Sequence, residues 1–323
     1  MTDQSREFSI IEQYFAGFIT TTSPQIRLGP GDDCGIFSVP PGQEVCISTD
    51  TLTAGVHFPM AAAPDVVAHR ALVANLSDLS AMGAAPLTCT LALTLDAPAA
   101  TDTWLAPFAE HLRRLIAEYA IPLIGGNLSS GPLSLTFTVL GTVPAGQALC
   151  RHGAQVGDDV YITGHPGDAA GGLAQLQTDG AKVRALLDRY QYPVPRLATA
   201  IALRGIASAA IDISDGLLAD LDHVCERSHV GIDIAIQQLP LSAALLEHFN
   251  LQQCQEFALA GGDDYELAFT AGSEHRQAVA AIALENGVNI SRIGRVIEGG
   301  QAQVVDASGQ VMSVSSRGYR HFQ

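Results

Sequence analysis

The chain has 323 residues, 33 acidic and 17 basic side chains, and a formal net charge of −16. That length predicts two domains, and an apolar content of 47% is enough to bury a sizeable core, which argues against a disordered chain. The acidic surplus argues against a nucleic-acid-binding or anionic-membrane-binding surface, because such a surface needs basic side chains. It suits a protein that gathers divalent cations.

Hydrophobicity and cysteine spacing predict a cytoplasmic protein. An uncharged apolar run, residues 79–95, contains Pro86 and is shorter than the roughly 20 residues that a bilayer-spanning helix needs. The N-terminus carries Asp3, Arg6 and Glu7 and has no apolar leader segment. Six scattered cysteines without a C-x-x-C pair favour reduced thiols over a disulfide framework or a zinc site.

The N-terminal part alternates predicted strands and helices in the manner of a layered α/β or α+β domain. Apolar residues at helical spacing predict helices, short apolar runs predict strands, and glycine with proline predicts loops. In chain order the predicted elements are a helix over residues 7–18, a loop over 28–35, a strand over 45–48, a helix over 64–82, a strand over 88–95, a helix over 102–119 and a strand over 133–140.

Glycine and proline over residues 144–157 predict a connector, which gives an N-terminal domain of 1–143 and a C-terminal domain of 158–323. Beyond the connector the alternation of strands and helices resumes. The predicted elements are a strand over 160–163, a helix over 169–176, a helical region over 182–204 that is broken by Pro193 and Pro195, a strand over 209–213, a helix over 217–228, a strand over 265–269, a helix over 275–285 and a strand over 290–296.

Acidic residues stand where predicted strands or glycine-rich loops end. An aspartate beside a glycine is often only a turn former, because its side chain bonds its own backbone. Five such blocks with few basic residues to pair them are harder to explain in that way, since uncompensated carboxylates repel one another unless a cation is bound. The blocks are Gly31-Asp32-Asp33, Ser48-Thr49-Asp50, Asn75-Leu76-Ser77-Asp78, Asp212-Ile213-Ser214-Asp215-Gly216 and Gly261-Gly262-Asp263-Asp264-Tyr265-Glu266.

The donor types indicate a hard cation and a phosphorylated substrate. Aspartates with the hydroxyls of Ser48 and Thr49 are oxygen ligands, which favour magnesium or manganese over zinc. Magnesium is usually bound through a few carboxylates and substrate phosphates, so a nucleotide substrate is expected. Glycine-rich segments at 29–31, 125–126 and 261–262 are candidate sources of backbone N–H groups for phosphates. The EF-hand, P-loop, protein-kinase and dinucleotide-binding patterns are absent from the sequence, so the nucleotide site is of an uncommon kind.

These blocks resemble the thiamine-monophosphate kinase family, which shares a superfamily with aminoimidazole-ribonucleotide synthetase and selenophosphate synthetase. The matching segments occur in the same order over nearly the whole chain and read GDDC, STDTLTAGVHF, NLSDLSAMGA, LIGGN, DISDGLLADL and GGDDYELAF. The resemblance implies a two-domain α/β (α+β) fold like that of aminoimidazole-ribonucleotide synthetase. In that fold the N-terminal mixed-sheet domain forms a homodimer and the C-terminal domain is α/β layered. The resemblance also implies ATP-dependent phosphorylation of thiamine monophosphate to thiamine diphosphate, by direct in-line transfer of the γ-phosphoryl group with Mg²⁺.

Position by position, the resemblance implies three sets of site residues. The metal set is Asp32, Asp33, Ser48, Thr49, Asp50, Asp78, Asp212 and Asp215, with Asp32 acting through water. The nucleotide set is Gly126, Asn127, Arg151 and Ser214, and the thiamine-monophosphate set is His57, Asp263, Ser316 and Tyr319. Asp50, Asp215 and Arg151 are the expected catalytic residues, with Arg151 neutralising phosphate charge. No general base is assigned, because the attacking phosphate oxygen is already ionised at neutral pH.

Two positions depart from the family pattern. The family reads G-G-D-T where this chain has Gly125-Gly126-Asn127-Leu128, so an amide replaces one carboxylate. The aromatic residue that stacks on the substrate in many relatives aligns with Ser316, and Tyr319 lies three residues on. An active kinase is expected, and a catalytically weakened nucleotide- or thiamine-phosphate-binding protein is one alternative. A related ATP-dependent synthetase is the other, although selenide chemistry usually wants a cysteine ahead of the acidic loop and Cys34 lies inside it.

Overall fold

The computed structural model describes residues 3–15, 18, 23–30, 32–178 and 182–320, and the side chains from residue 6 onward within those ranges. The chain forms two compact units. The first comprises Met1–Leu79 and Ala84–Gly146, and the second comprises Ser80–Gly83 and Gln147–Gln323. The domain limits expected from the sequence, 1–143 and 158–323, stay a prediction.

The first unit is built around a four-stranded mixed sheet. Its elements are α1 (Asp3–Ile10) with a π-helical turn (Ile11–Phe15), β1 (Ile26–Leu28), β2 (Ile36–Phe37), β3 (Gln43–Thr53), α2 (Pro64–Ala81), β4 (Ala85–Leu95), α3 (Asp102–Glu118), β5 (Leu123–Ser130) and β6 (Ser134–Pro144). The strand order in the sheet is β3-β6-β4-β5, in which β5 is parallel to β4 and the other neighbours are antiparallel. β1 and β2 form a separate antiparallel pair.

Alternation along β6 gives this sheet one buried face and one open face. Phe137 is fully buried. Thr136 and Thr138, on either side of it, meet Thr51 and Thr49 of β3 with hydroxyl oxygens 2.7 and 2.9 Å apart. The apolar stripe of α3 is also buried, as its helical spacing predicts, through Leu105, Phe108, Leu112, Leu115 and Ile116.

The second unit is a six-stranded sheet with helices on both faces. Its elements are β7 (Asp159–Thr163), α4 (Asp168–Leu176), α5 (Arg184–Gln191), α6 (Leu197–Ala202), β8 (Ala209–Asp212), α7 (Leu217–Ser228), β9 (Gly231–Ala235), α8 (Ala243–His248), α9 (Leu251–Ala260), β10 (Leu267–Ala271), α10 (Arg276–Asn286), β11 (Ile290–Ile297) and β12 (Ala302–Val305). The strand order is β12-β9-β11-β7-β10-β8, and only the β12–β9 pair is parallel.

The central strand β7 shows why this sheet needs two helical layers. All five of its residues are buried. Val160 and Ile162 pack in one apolar cluster with residues of α7 and α9, whereas Tyr161 packs in another with residues of α6 and α10. Since neighbouring side chains in a strand point to opposite faces, both faces of the sheet are covered.

Two sequence-based expectations are wrong in detail. The block 48–50 lies inside β3 rather than at a strand end, because pairing with β6 continues through Thr53. The glycines at 125–126 lie within β5 rather than in a loop. The break expected in the helical region over 182–204 is confirmed, since the region forms two helices, α5 and α6, separated where Pro193 and Pro195 cannot donate backbone hydrogen bonds.

Other differences concern weak local signals. The expected helix over 7–18 is α1 plus the π-helical turn, and residues 16 and 17 lie outside the described part of the chain. β9, α8, α9 and β12 were not predicted. Among the helices of the described chain, none combines the length and apolar content that crossing a bilayer requires.

Candidate active site

Within the first unit, β3 and α2 bring three of the expected metal ligands together. Ser48 and Asp50 are two residues apart in β3, so their side chains leave the same face of the strand. Ser48 Oγ donates to Asp78 Oδ2 of α2 at 2.5 Å. The Asp50 N–H donates to Oδ1 of Asn75, which lies one turn before Asp78 on α2, at 3.0 Å. The local pairing of β3 with α2 therefore groups Ser48, Asp50 and Asp78.

The hydroxyl of Thr49 is not part of this group. Its Oγ1 lies 2.9 Å from Thr138 Oγ1 on the open face of the sheet. That face is opposite the one from which Ser48 and Asp50 project, because side chains alternate along a strand.

A cavity of about 570 Å³ collects a second set of expected residues in the same unit. Its polar lining includes Asp32, Asp33, Gly126 and Asn127. The two aspartates are exposed, and the Asp33 N–H donates to Asp32 Oδ1 at 2.8 Å. Gly31, which precedes them, lies outside the described residues. The apolar wall is formed by Phe8, Ile11, Phe15, Leu91, Leu93, Leu123 and Leu128, with Pro30 and Gly125 beside it.

Gly126 is required by the close approach of β5 to β4. A Cβ atom at this position would lie 2.0 Å from the main-chain oxygen of Leu91. By contrast, a Cβ at Gly125 would meet only Thr90 Cγ2, at 3.8 Å. Of these two adjacent glycines, therefore, only Gly126 is required for β5 to pack closely against β4.

We expect Gly126→Ala to lower the free energy of unfolding by about 3 kcal/mol, because the β4 backbone must move to admit the methyl group. Urea denaturation of the variant and the parent protein measures this difference. Gly125→Ala is the matched control and is expected to change stability by no more than about 0.5 kcal/mol. Equal stability of the two variants would contradict the steric account.

His57 is held in the loop that follows β3. Its Nδ1 accepts the N–H of Thr53 at 3.0 Å, and its carbonyl oxygen accepts a hydrogen bond from Nη2 of the fully buried Arg70 at 3.1 Å. Since Nδ1 is an acceptor here, the neutral ring carries its proton on Nε2. The loop thereby fixes both the position and the tautomer of His57.

In the second unit, a turn between β8 and α7 is organised by Asp220, which sequence reasoning did not select. Its buried carboxylate accepts the N–H groups of Ser214, Asp215 and Gly216 at 3.0, 3.2 and 3.1 Å. Burial, followed by the charge of Asp212, raises the pKa of Asp220 to about 8, against the effect of these donors. Asp220 lies in the DISDGLLADL block. Its position in the first turn of a predicted helix is the sequence feature that could have identified it.

Two other expected residues are bound to this turn, and a third, Ser316, lies three residues before one of them, Tyr319. The Asp263 N–H donates to the carbonyl of Ser214, and the Tyr319 N–H donates to the carbonyl of Asp215, both at 2.9 Å. Asp263 has a φ of +68°, a left-handed conformation that costs an aspartate about 1 kcal/mol. Ser316 is exposed, and its hydroxyl accepts the N–H of Gly318 at 3.3 Å. The second unit thus gathers Ser214, Asp215, Asp263 and Tyr319, with Asp212 at the end of β8.

Arg151 is not brought to this turn. It is exposed, and its carbonyl accepts a hydrogen bond from Ser228 Oγ at 2.9 Å. Ser228 ends α7, whereas Asp215 precedes its first residue. A helix of 12 residues separates the two ends by about 18 Å.

The oxygen donors of the two units have the chemistry that Mg²⁺ requires. Among the described residues, no three His, Cys, Asp or Glu side chains lie close enough together to form a complete metal site. The Ser48 hydroxyl and the carboxylates of Asp50 and Asp78 are nevertheless hard oxygen donors, and Mg²⁺ commonly completes its shell with water and substrate phosphates. Crowding of Asp212 and Asp215 around the buried Asp220 is a charge repulsion that a bound cation relieves. The residues therefore fit Mg²⁺ as part of a set shared with phosphate oxygens.

Comparison with known proteins gives two family matches. Residues 31–143 match the N-terminal domain of AIR synthase related protein, and residues 155–307 match its C-terminal domain. The thiamine-monophosphate kinase of Escherichia coli (strain K12) is 42% identical over 321 residues, which cover 98% of each chain.

Solved structures agree with these matches. The thiamine-monophosphate kinase from Stenotrophomonas maltophilia K279a is 40% identical with a TM-score of 0.84, over 90% of this chain and 93% of that chain. The structure of AaThiL complexed with AMPPCP and TMP is 30% identical with a TM-score of 0.78, over 88% and 89% of the two chains. The two-domain mixed α/β fold expected from the sequence is confirmed.

Proposed function

The chain belongs to the thiamine-monophosphate kinase family of AIR synthase related proteins, and on that premise we propose that it transfers the γ-phosphoryl group of ATP to thiamine monophosphate, giving ADP and thiamine diphosphate. The observation that carries this proposal is the likeness to the E. coli relative over 98% of both chains. The relative that was solved with AMPPCP and TMP supports the same pair of substrates.

The main obstacle to this reaction is charge repulsion, because donor and acceptor are both phosphates. Phosphoryl transfer requires a protein mainly to hold the two groups in line and to neutralise the transferring group. The chain's own contribution is a set of oxygen donors whose positions are fixed by secondary structure, as Ser48 Oγ is by Asp78. A general base is unnecessary, since the attacking oxygen of thiamine monophosphate is already ionised.

The proposed metal set divides between the two units. Mg²⁺ bound by these residues would supply charge neutralisation to the phosphate groups. The residues that would hold it are Asp32, Asp33, Ser48, Asp50 and Asp78 in the first unit and Asp212 and Asp215 in the second, with Thr49 included by resemblance alone.

The proposed substrate contacts follow the two observed groups. The cavity with Gly126 and Asn127 in its lining is assigned to the nucleotide. Ser214 and Arg151 of the second unit are assigned to the nucleotide by the resemblance alone. The Nε2–H of His57 and the carboxylate of Asp263 are assigned to thiamine monophosphate. The C-terminal residues Ser316 and Tyr319 are assigned to the same substrate by the resemblance alone.

We also propose that the protein is a cytoplasmic homodimer. The open face of the four-stranded sheet carries Val45 and Ile47 of β3, which are 42% and 67% exposed. They lie on the same side as the threonine pairs of β3 and β6, so this open face has an apolar part. Exposed apolar groups on an open sheet face support pairing with a second copy.

A coupled assay for ADP release tests the proposed reaction. Purified protein with ATP and Mg²⁺ is expected to release ADP when thiamine monophosphate is present, and not with thiamine alone or without an acceptor. ADP release that is independent of thiamine monophosphate would support an ATP-dependent synthetase. Equilibrium binding of thiamine monophosphate without ADP release would support the binding-protein alternative.

Asn127→Asp is expected to lower the Mg²⁺ concentration for half-maximal activity about fivefold, since one added charge at 4 Å contributes about 1 kcal/mol in water. The physical reason is that Asn127 shares its cavity with Asp32 and Asp33. A magnesium titration of the initial rate measures the effect.

Ser129→Asp is the matched control for this titration. Ser129 lies two residues further along β5, on the same strand face, and does not line that cavity. The control substitution therefore adds the same charge outside the cavity. The same Mg²⁺ midpoint in Asn127→Asp as in the parent protein, or an equal shift in the control, would show that Asn127 does not act on the bound ion.

A further inference from the structure

The C-terminal segment (residues 315–320) follows β12 and crosses the beginning of α7. It has no regular secondary structure. One contact with the proposed site is the hydrogen bond from the Tyr319 N–H to the carbonyl of Asp215 at 2.9 Å. The Tyr319 side chain is 50% exposed, so burial of its ring does little to hold the segment in place.

Arg317 supplies a second and stronger attachment. Its guanidinium binds the carboxylate of Asp222 on α7, with Nε 2.9 Å from Oδ2 and Nη2 2.7 and 2.6 Å from Oδ1 and Oδ2. Nη2 also donates to the carbonyl of Ala302 in β12 at 2.7 Å, and the Ala302 N–H donates to Asp222 Oδ1 at 2.8 Å. Arg317, Asp222 and Ala302 thus form a closed ring of hydrogen bonds that joins the segment to a helix and a strand.

Gly318 shows how closely the segment lies on the site. Its φ is +152°, and a Cβ there would be 2.8 Å from the carbonyl oxygen of Asp215 and 2.6 Å from Cβ of Ala219. The chain can pass over the start of α7 only without a side chain at this position. Its path between Arg317 and Tyr319 is therefore set by direct contact with the Asp215 turn.

We propose that Arg317 is a positioning residue, which holds the C-terminal segment against Asp215 so that Ser316 and Tyr319 form one wall of the thiamine-monophosphate subsite. This inference rests on the proposed function, which supplies that substrate. The side chains of Arg317 and Asp222 are each 31% exposed, so their ion pair adds little to global stability. Its expected effect is local, because Arg317 joins the segment to α7 and β12 next to the contacts that Gly318 and Tyr319 make with Asp215.

The test compares substrate kinetics with amide hydrogen exchange. Arg317→Gln is expected to raise KM for thiamine monophosphate about tenfold, the typical effect of losing a hydrogen bond to a charged group, and to leave KM for ATP and the melting temperature unchanged. Peptides that cover residues 315–320 are expected to exchange faster, as the Tyr319 amide loses its protection. Asp222→Asn should act in the same direction. Arg317→Lys should fall between, because an ammonium keeps the charge but cannot bind a carboxylate as a fork.

Arg184→Gln is the matched control. It removes the same charge and breaks an exposed ion pair with Asp188, 2.9 Å long, in α5 of the same unit. It is expected to change neither KM nor the exchange of the segment.

Each outcome decides between the inference and the function on which it rests. Normal turnover by the parent protein with an unchanged KM for thiamine monophosphate in Arg317→Gln would overturn the inference alone. Equal increases in both KM values, or unchanged exchange of the segment, would overturn it as well. If the parent protein forms no thiamine diphosphate, the proposed function fails, and the assignment of this wall to that substrate fails with it.

Discussion

Asp50→Ala is expected to lower the rate of thiamine diphosphate formation by about 10³-fold, the size of effect seen when one preorganised group that stabilises transition-state charge is removed. Asp50 shares a strand face with Ser48, whose hydroxyl binds Asp78, so the substitution removes a central carboxylate from this group. The fold should survive, because Asp50 is exposed and its bond to Asn75 is made by the main-chain N–H, which alanine keeps. Steady-state rates with saturating ATP and thiamine monophosphate measure the loss.

Asp215→Ala is expected to behave in the same way. Its observed contacts with Asp220 and Tyr319 are also made by main-chain atoms. Asp188→Ala is the control for both, since it changes net charge equally at an exposed ion pair in α5. Near-normal rates in purified Asp50→Ala or Asp215→Ala would remove these carboxylates from the mechanism.

Glu266→Gln is expected to lower the free energy of unfolding by about 3–5 kcal/mol, because it leaves two partly buried guanidinium groups without their counter-charge. The fully buried Glu266 carboxylate accepts hydrogen bonds from Arg196 Nε and Nη2 at 2.6 and 2.5 Å and from Arg189 Nη2 at 2.7 Å. Thr163 Oγ1 donates to it at 2.5 Å. Urea denaturation at pH 7 measures the change.

The pH dependence of stability gives a second readout of the same substitution. Burial alone would raise the pKa of Glu266, but Arg196 and Arg189 outweigh it and hold the pKa below its ordinary value of 4.5. Because the folded-state pKa is depressed, the stabilisation is complete above pH 4.5 and is lost as pH falls through the lower folded value. Glu266→Gln should therefore unfold with a weaker dependence on acid pH than the parent protein.

Glu110→Gln is the matched control for Glu266→Gln. It breaks an exposed pair with Arg113, 2.8 Å long on α3, and should cost at most about 1 kcal/mol. Similar losses in the two variants would contradict the view that the buried Glu266 carboxylate stabilises the fold more than an exposed ion pair does.

The elements that were predicted well are those whose own residues show a long and regular hydrophobic pattern. The helix expected over 64–82 is α2 (Pro64–Ala81), and the one expected over 102–119 is α3 (Asp102–Glu118). Both are long and apolar, and the stripe of α3 has a clear helical period. β9 and β12 are short strands of five and four residues, too brief for a period-2 pattern to stand out from loop sequence.

The features of the site that the sequence did not predict depend on contacts between distant segments. A glycine pair is locally a turn signal, and only the packing of β5 on Leu91 gives Gly126 its role. Asp220 looks like an ordinary aspartate in a helix until the turn before α7 directs three N–H groups at it. Likewise the exclusion of the Thr49 hydroxyl from the Ser48–Asp78 pair follows from strand alternation once β3 is seen to continue.

The most direct measurement of the central claim is a ³¹P NMR time course of purified protein with ATP, thiamine monophosphate and Mg²⁺. If the phosphoryl group moves directly between the two phosphates, ADP and thiamine diphosphate signals will grow in equal amounts as ATP and thiamine monophosphate decline. Growth of inorganic phosphate with unchanged thiamine monophosphate, or no change in any signal, would contradict the account.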